Sequence, residues 1–439
     1  MSKLPVYLLL GVICCWTPAL ATGPNQQEAS PSGGTLTLQE AIRLALSRAP
    51  EVSMADSEVI RAGEALRETR GSNRPQVVTG TGLAYNNGFP LSIEGSAPSA
   101  FQIGLSQPLF SKRNKNLILA AGEGIKASKI GSESARNDVA ARTALVYYEL
   151  HQARKLAAIW AARREAAAKE QQLTETLVEA GRARPLDASL ARTATVGVEQ
   201  QLLAAHEQAR LAEVELHELT GLPRGTAIQT QGPRLDLQLP DKCGDVLFQK
   251  ALESYPEIRQ AESNLKAREF RVEAEKSGRY PRFEFVTQYA LFTRFNNYED
   301  FFRTFTRNNF LVGVSIQVPL FDGFLTSARV GQSSQEVTEA RLKLERLKSD
   351  LKMSIERSLS GLRIARGAAE LARREKETAE EVVRLNQTLF DGGRMAAKDL
   401  LVSQNLVREK EVAVLQAEMS AFQREVELLR LTGGFSGLN

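Results

Sequence analysis

The sequence predicts a mainly α-helical chain with a minor β component, built from a tandem repeat in which long helical rods alternate with pairs of short strands. Three observations carry this. The 16 prolines of the 439 residues avoid the interior of Leu109 to Arg184, Leu186 to Leu222 and Leu320 to Asn439, and each stretch is rich in Ala, Leu, Glu, Lys and Arg, so each reads as helix. Motifs recur about 210 residues apart: Ala45 to Val52 matches Ala251 to Ile258, Pro108-Leu109-Phe110 matches Pro319-Leu320-Phe321, and Gly181-Arg182 with Asp187 matches Gly393-Arg394 with Asp399. Between the helical parts, both halves show apolar residues alternating with small or polar ones, the period of a strand.

The elements follow in chain order. Lys3, the apolar run Leu4 to Trp16 and Ala19-Leu20-Ala21 give residues 1–21 the form of a secretory signal peptide. Residues 22–34 form a polar, flexible lead-in, and the two repeats occupy 35–221 and 244–435, with a linker at 222–243 and a tail at 436–439. Repeat 1 opens with a short rod, Leu38 to Gly71. Its strands put Val77, Leu83, Phe101 and Ile103 on one face, and the strands of repeat 2 do the same with Phe283, Phe285, Val312, Val314 and Ile316. At nine or ten residues, each strand has the length that a tilted strand needs to cross a bilayer. Thirteen of the 28 aromatic residues lie between Tyr280 and Phe324, as in the aromatic girdle of a membrane barrel.

Four strands cannot close a barrel of useful bore, and open edges do not survive in lipid, so the strands require an oligomer; three copies give twelve strands. The rod expected from Lys112 to Ala180 would be about 100 Å long. In the last stretch, Leu344, Leu347, Leu351, Ile355, Leu359 and Leu362, and then Leu400, Val407, Val414, Ala421 and Leu428, recur at helical or heptad spacing. The rods are therefore expected to pack as coiled-coil-like helices.

Several function classes are excluded. The formal charge of +4 comes from 56 basic and 52 acidic residues scattered along the chain, so there is no nucleic-acid footprint. Gly80-Thr81-Gly82 and Gly122-Glu123-Gly124 lack the third glycine of a dinucleotide loop, and no nucleophile and base pairing marks an enzyme. His206 and His217 stand eleven residues apart, about 16 Å along one helix, too far to chelate one ion. Cys14 and Cys15 fall in the signal segment, which leaves Cys243 without a partner. Neither a cofactor nor a metal is expected.

The order helix, strand, strand, long helix, tight turn, helix, repeated with Pro-Leu-Phe after the second strand and Gly-x5-Asp at the helical turn, resembles the TolC-like outer-membrane efflux family. The resemblance covers Leu36 to Gly434. It implies a homotrimeric channel-tunnel with a twelve-stranded barrel in the lipid of the outer membrane and a helical barrel in the periplasm. A periplasmic adaptor would dock on its tip, and an inner-membrane pump or transporter would supply the energy. It also implies that the turns at Gly181 and Gly393, with Pro185 and Lys398, form the docking tip, and that Asp399 constricts the pore, with Asp187, Arg182 and Arg394 around the same mouth. Where some relatives carry a second acid one turn later, this chain has Val402. The alternative is a secreted periplasmic or surface coiled-coil scaffold or adhesin without a membrane barrel, made of the same rods.

Overall fold

The computed structural model describes residues 35–82, 99–223, 228–232, 244–292, 306 and 308–434. The expected signal peptide, the lead-in, the tail, all three cysteines and Leu83 lie outside the described residues.

Repeat 1 comprises β1 (Thr35–Leu36), α1 (Leu38–Arg48), α2 (Pro50–Gly71), β2 (Gln76–Gly82), β3 (Ser99–Phe110), α3 (Lys112–Glu179) and α4 (Pro185–Thr220). After β4 (Gln229–Thr230), repeat 2 gives α5 (Gly244–Ser254), α6 (Pro256–Lys276), β5 (Arg282–Phe292), β6 (Asn308–Gln317), α7 (Leu325–Asp391) and α8 (Ala397–Leu431). The two long rods have 68 and 67 residues, about 100 Å each at 1.5 Å per residue. Among the described residues no helix is long and apolar enough to cross a membrane.

Two expectations are corrected. Leu38 to Gly71 is not one rod, because it breaks at Ala49, whose φ of -61° and ψ of 129° are extended. Pro50 has no N–H for a continuing helix and disfavours helical backbone at the residue before it. Tyr255 before Pro256 breaks the corresponding helix of repeat 2 in the same way. The other correction is the parallel pair β1 and β4, in register Thr35 to Gln229. Two-residue strands have no periodicity to read, so the lead-in and linker gave no sign of it.

The helices lie side by side. Next to the sheet, the neighbours run α2, α3, α6, α7; towards the far end they run α4, α3, α8, α7. The core sits where these two sets meet, half-way along the rods. There Ala41, Ala45, Tyr147, Leu150 and Leu216 are fully buried in repeat 1, and Ala251, Ile258, Ile355, Leu362 and Leu428 in repeat 2. Ile42, Ala144, Tyr148, Phe422 and Val426 join the two halves, with the Tyr148 and Phe422 rings stacked at 4.1 Å. The fully buried Tyr147 hydroxyl donates to the Leu36 carbonyl at 2.6 Å and accepts from the Gln231 N–H at 2.9 Å, which ties β1 and β4 to α3. The apolar series of α7 lies in this core from Leu344 to Leu362, whereas in α8 only the ends of the heptad series, Leu400 and Leu428, are fully buried.

Candidate functional site

The strands form one antiparallel sheet in the order β2, β3, β5, β6. Residues facing each other across an antiparallel ladder share a face, so the register fixes the sides. Val77 faces Leu105, Leu105 faces Thr287 and Thr287 faces Val312. Ile103 faces Tyr289, Phe101 faces Leu291, Phe285 faces Val314 and Phe283 faces Ile316. Every described strand residue of the apolar set singled out in the sequence therefore lies on one side. The other side is mixed and more polar: it carries Gln76, Gln102, Gly104, Ser106, Glu284, Gln288, Gly313 and Ser315 together with Val78, Val286, Ala290 and Leu311. Among the described residues, β2 and β6 each leave one edge unpaired.

At the opposite end of the rods, the two tight turns are built alike. α3 stops where Gly181 takes a φ of +70°; its N–H donates to the Val178 carbonyl at 3.0 Å, and the Arg182 N–H donates to the Leu177 carbonyl at 2.7 Å. α7 stops with Gly393 at a φ of +67°, bonded to Phe390 at 2.9 Å, while Arg394 reaches Leu389 at 2.8 Å. This is the crossed hydrogen-bond pattern of a Schellman motif, whose left-handed residue is favourable for glycine. The next helices begin with Pro185 and Ala397 at their first position, and Asp187 and Asp399 stand two residues further on, in the positive first turn.

The two acids then diverge. The Asp187 carboxylate accepts from the Arg184 backbone N–H at 3.0 Å, from its Nε at 3.2 Å and from its Nη2 at 3.0 Å. These bonds from Arg184 hold the Asp187 carboxyl below the usual range, and the charge of Lys398 on the neighbouring turn adds to the effect. The residue matching Arg184 in repeat 2 is Ala396, so the clamp is missing there. Among the described residues no hydrogen bond or ion pair engages the exposed carboxylate of Asp399. In the sequence the available signal for this clamp is an arginine three residues before an N-terminal Asp. Arg182, Arg394 and Lys398 are exposed around the same turns, as are the apolar Leu186, Leu190 and Val402.

The molecule thus combines an open sheet with one apolar face and, a rod's length away, a pair of charged turns. Comparisons with known proteins agree with this arrangement. The chain is 22% identical over 415 residues to the outer membrane efflux protein BepC of Brucella suis biovar 1 (strain 1330), covering 92% of this chain and 88% of that one. Its fold matches the crystal structure of the CmeC outer membrane channel of Campylobacter jejuni with a TM-score of 0.74 at 16% identity, over 90% of this chain and 85% of that one. It matches the open state of the MtrE outer membrane channel of Neisseria gonorrhoeae with a TM-score of 0.72 at 17% identity, over 90% and 88%. The model of the outer membrane efflux protein family matches residues 41–222 and again 247–434, and the chain belongs to that family.

Proposed function

We propose that three copies of the chain close into one continuous duct that forms the outer-membrane exit of a tripartite efflux or secretion assembly. The protein is an outer-membrane efflux protein by family; the trimer, its route and its partners are our reading. The observation that carries it is the open four-stranded sheet, apolar on one side and unpaired at both edges. Unpaired edges are not tolerated in hydrocarbon, so β6 of one copy pairs with β2 of the next until the ring closes. The helices support the same closure. Towards the far end the layer finishes in α4 on one side and α7 on the other. Both edge helices expose apolar residues at near-heptad spacing, Val196, Leu203 and Leu211 on α4 and Ile364, Leu371 and Leu385 on α7.

In this reading the apolar strand face meets lipid and the polar face lines the lumen. The paired turns gather at the periplasmic mouth, six in the trimer, where Gly181, Gly393, Pro185 and Lys398 shape the surface offered to a periplasmic adaptor and Asp399 constricts the pore. An inner-membrane pump supplies the energy, and the duct itself works by geometry. Native mass spectrometry of detergent-extracted protein tests this, with a homotrimer expected. Recovery as a stable monomer, above all a soluble periplasmic one, overturns the reading in favour of a scaffold or adhesin.

A further inference from the structure

We infer that the inner wall of the duct, just below the barrel, carries a binding site for amphiphilic organic anions. The inference rests on the duct reading above and names a class of cargo for it. A cavity of about 660 Å³ is lined by residues of α2, α3, α6 and α7 together. These four helices are successive neighbours in one layer, with α3 between α2 and α6 and α6 between α3 and α7. All four can border one cavity only if the layer curves around it, so the cavity lies on the concave side. In a closed ring the concave side faces the axis.

The lining has two chemistries. Its floor is the seam of α3 and α6, where Ala120, Gly124 and Ala267 keep the side chains short and the surface apolar. Its charged members are all cations: Arg268 and Arg271 on α6 and Lys343 on α7, with no carboxylate among the lining residues. Arg268 is paired with Glu336 at 3.7 Å, and Lys343 with Glu339 at 2.5 Å, one turn away on its own helix. Among the described residues, no hydrogen bond or ion pair engages the exposed guanidinium of Arg271. The volume is in the range of sites for drug-sized molecules, about 300–1,000 Å³. An apolar floor beneath a cationic rim fits a molecule with an apolar body and one anionic head, such as an aryl sulfonate or carboxylate. A cation with the same body would meet the unpaired Arg271 beside two ion-paired cations, and a bare phosphate would leave the floor uncovered.

The test is equilibrium binding of naphthalene-2-sulfonate to the full protein in lipid nanodiscs, followed by saturation-transfer NMR, with 2-naphthylmethylammonium as the cation of similar shape. The sulfonate is expected to bind and the ammonium not. Arg271→Gln should weaken the sulfonate roughly tenfold, the scale of one lost charge-assisted hydrogen bond, and the Arg268→Gln/Arg271→Gln pair should weaken it further. Lys266→Gln, on the same helix but outside the lining, should leave binding unchanged and so reports on folding. Equal binding of both probes, or sulfonate binding indifferent to Arg271, overturns the site. Conductance of the same preparations in planar bilayers separates the two readings. Arginine-dependent binding without conductance overturns the duct and the cargo assignment but leaves the anion site, whereas conductance without arginine-dependent binding overturns the site alone.

Discussion

Replacing Gly181 and Gly393 by valine probes the tip most directly, because the structure separates strain from crowding there. A Cβ built on either glycine meets no atom within 4 Å, so a side chain costs nothing in packing. What remains is the backbone, at φ +70° and +67°. The left-handed region costs an L-residue about 1–2 kcal/mol, and a β-branched one falls at the upper end or beyond. In the proposed trimer, with two turns in each of three chains, the strain at the mouth totals roughly 6–12 kcal/mol. It can be relieved only by giving up the crossed bonds at Leu177 and Leu389 and redirecting the chain into α4 and α8. The double Gly→Val variant should therefore still insert and trimerise, since sheet and core lie far from the turns, but lose adaptor crosslinking and export. Gly→Asn at both sites should restore much of the function, because asparagine tolerates positive φ. Gly221→Ala is the contrasting control: φ is +63°, but the added Cβ would lie 2.8 Å from Arg48 Cδ, so it should reduce the yield of folded trimer. Wild-type export by the double Val variant refutes the argument, and so does an Asn variant as defective as Val.

Further outcomes concern the pore, the sheet and the core. Asp399→Ala should raise single-channel conductance and lower cation preference more than Asp187→Ala, whose carboxylate is already compensated by Arg184; Arg394→Ala should shift selectivity the opposite way. These differences should shrink between 0.1 M and 1 M salt as the Debye length falls from about 10 Å to about 3 Å, and equal effects of the two Asp variants would refute the assignment. Val314→Arg should cost roughly 2–4 kcal/mol of barrel stability near the midplane, while Ser315→Arg on the opposite face is better tolerated, as measured by heat-modifiable gel mobility. Tyr147→Phe removes the hydroxyl that bonds the Leu36 carbonyl and the Gln231 N–H, a loss of about 1–3 kcal/mol, and should speed hydrogen exchange of the Gln231 amide. Burial lowers the pKa of His151 from 6.5, with Lys155 and Arg154 adding to the shift and its contact with Thr230 opposing it. The folded state thus favours the neutral ring, so the stabilisation is present above pH 6.5 and lost as pH falls below it. His151→Gln should flatten that part of a stability profile against pH.

What the sequence determined by itself is everything with a period or a punctuation mark. Composition and the absence of proline located α3 and α4 to within a residue or two, because helix-forming residues run uninterrupted over many turns there. Alternation located the strands, and their apolar residues fell on one face because a strand has only two. Glycine at 181 and 393 marked the turns, since the left-handed backbone admits few other residues. The tertiary structure alone decided what depends on partners distant in the chain. Tyr147 is an ordinary helical tyrosine in the sequence and the anchor of β1 and β4 in the fold, since Leu36 and Gln231 lie 111 and 84 residues away from it. Asp187 and Asp399 look equivalent in a repeat, but one is clamped by Arg184 and the other has only Ala396 before its helix, so only one carries an uncompensated charge. The cations at Arg268, Arg271 and Lys343 belong to two helices and share a cavity because the layer curves, and curvature is a property of packed helices that no single stretch of sequence contains.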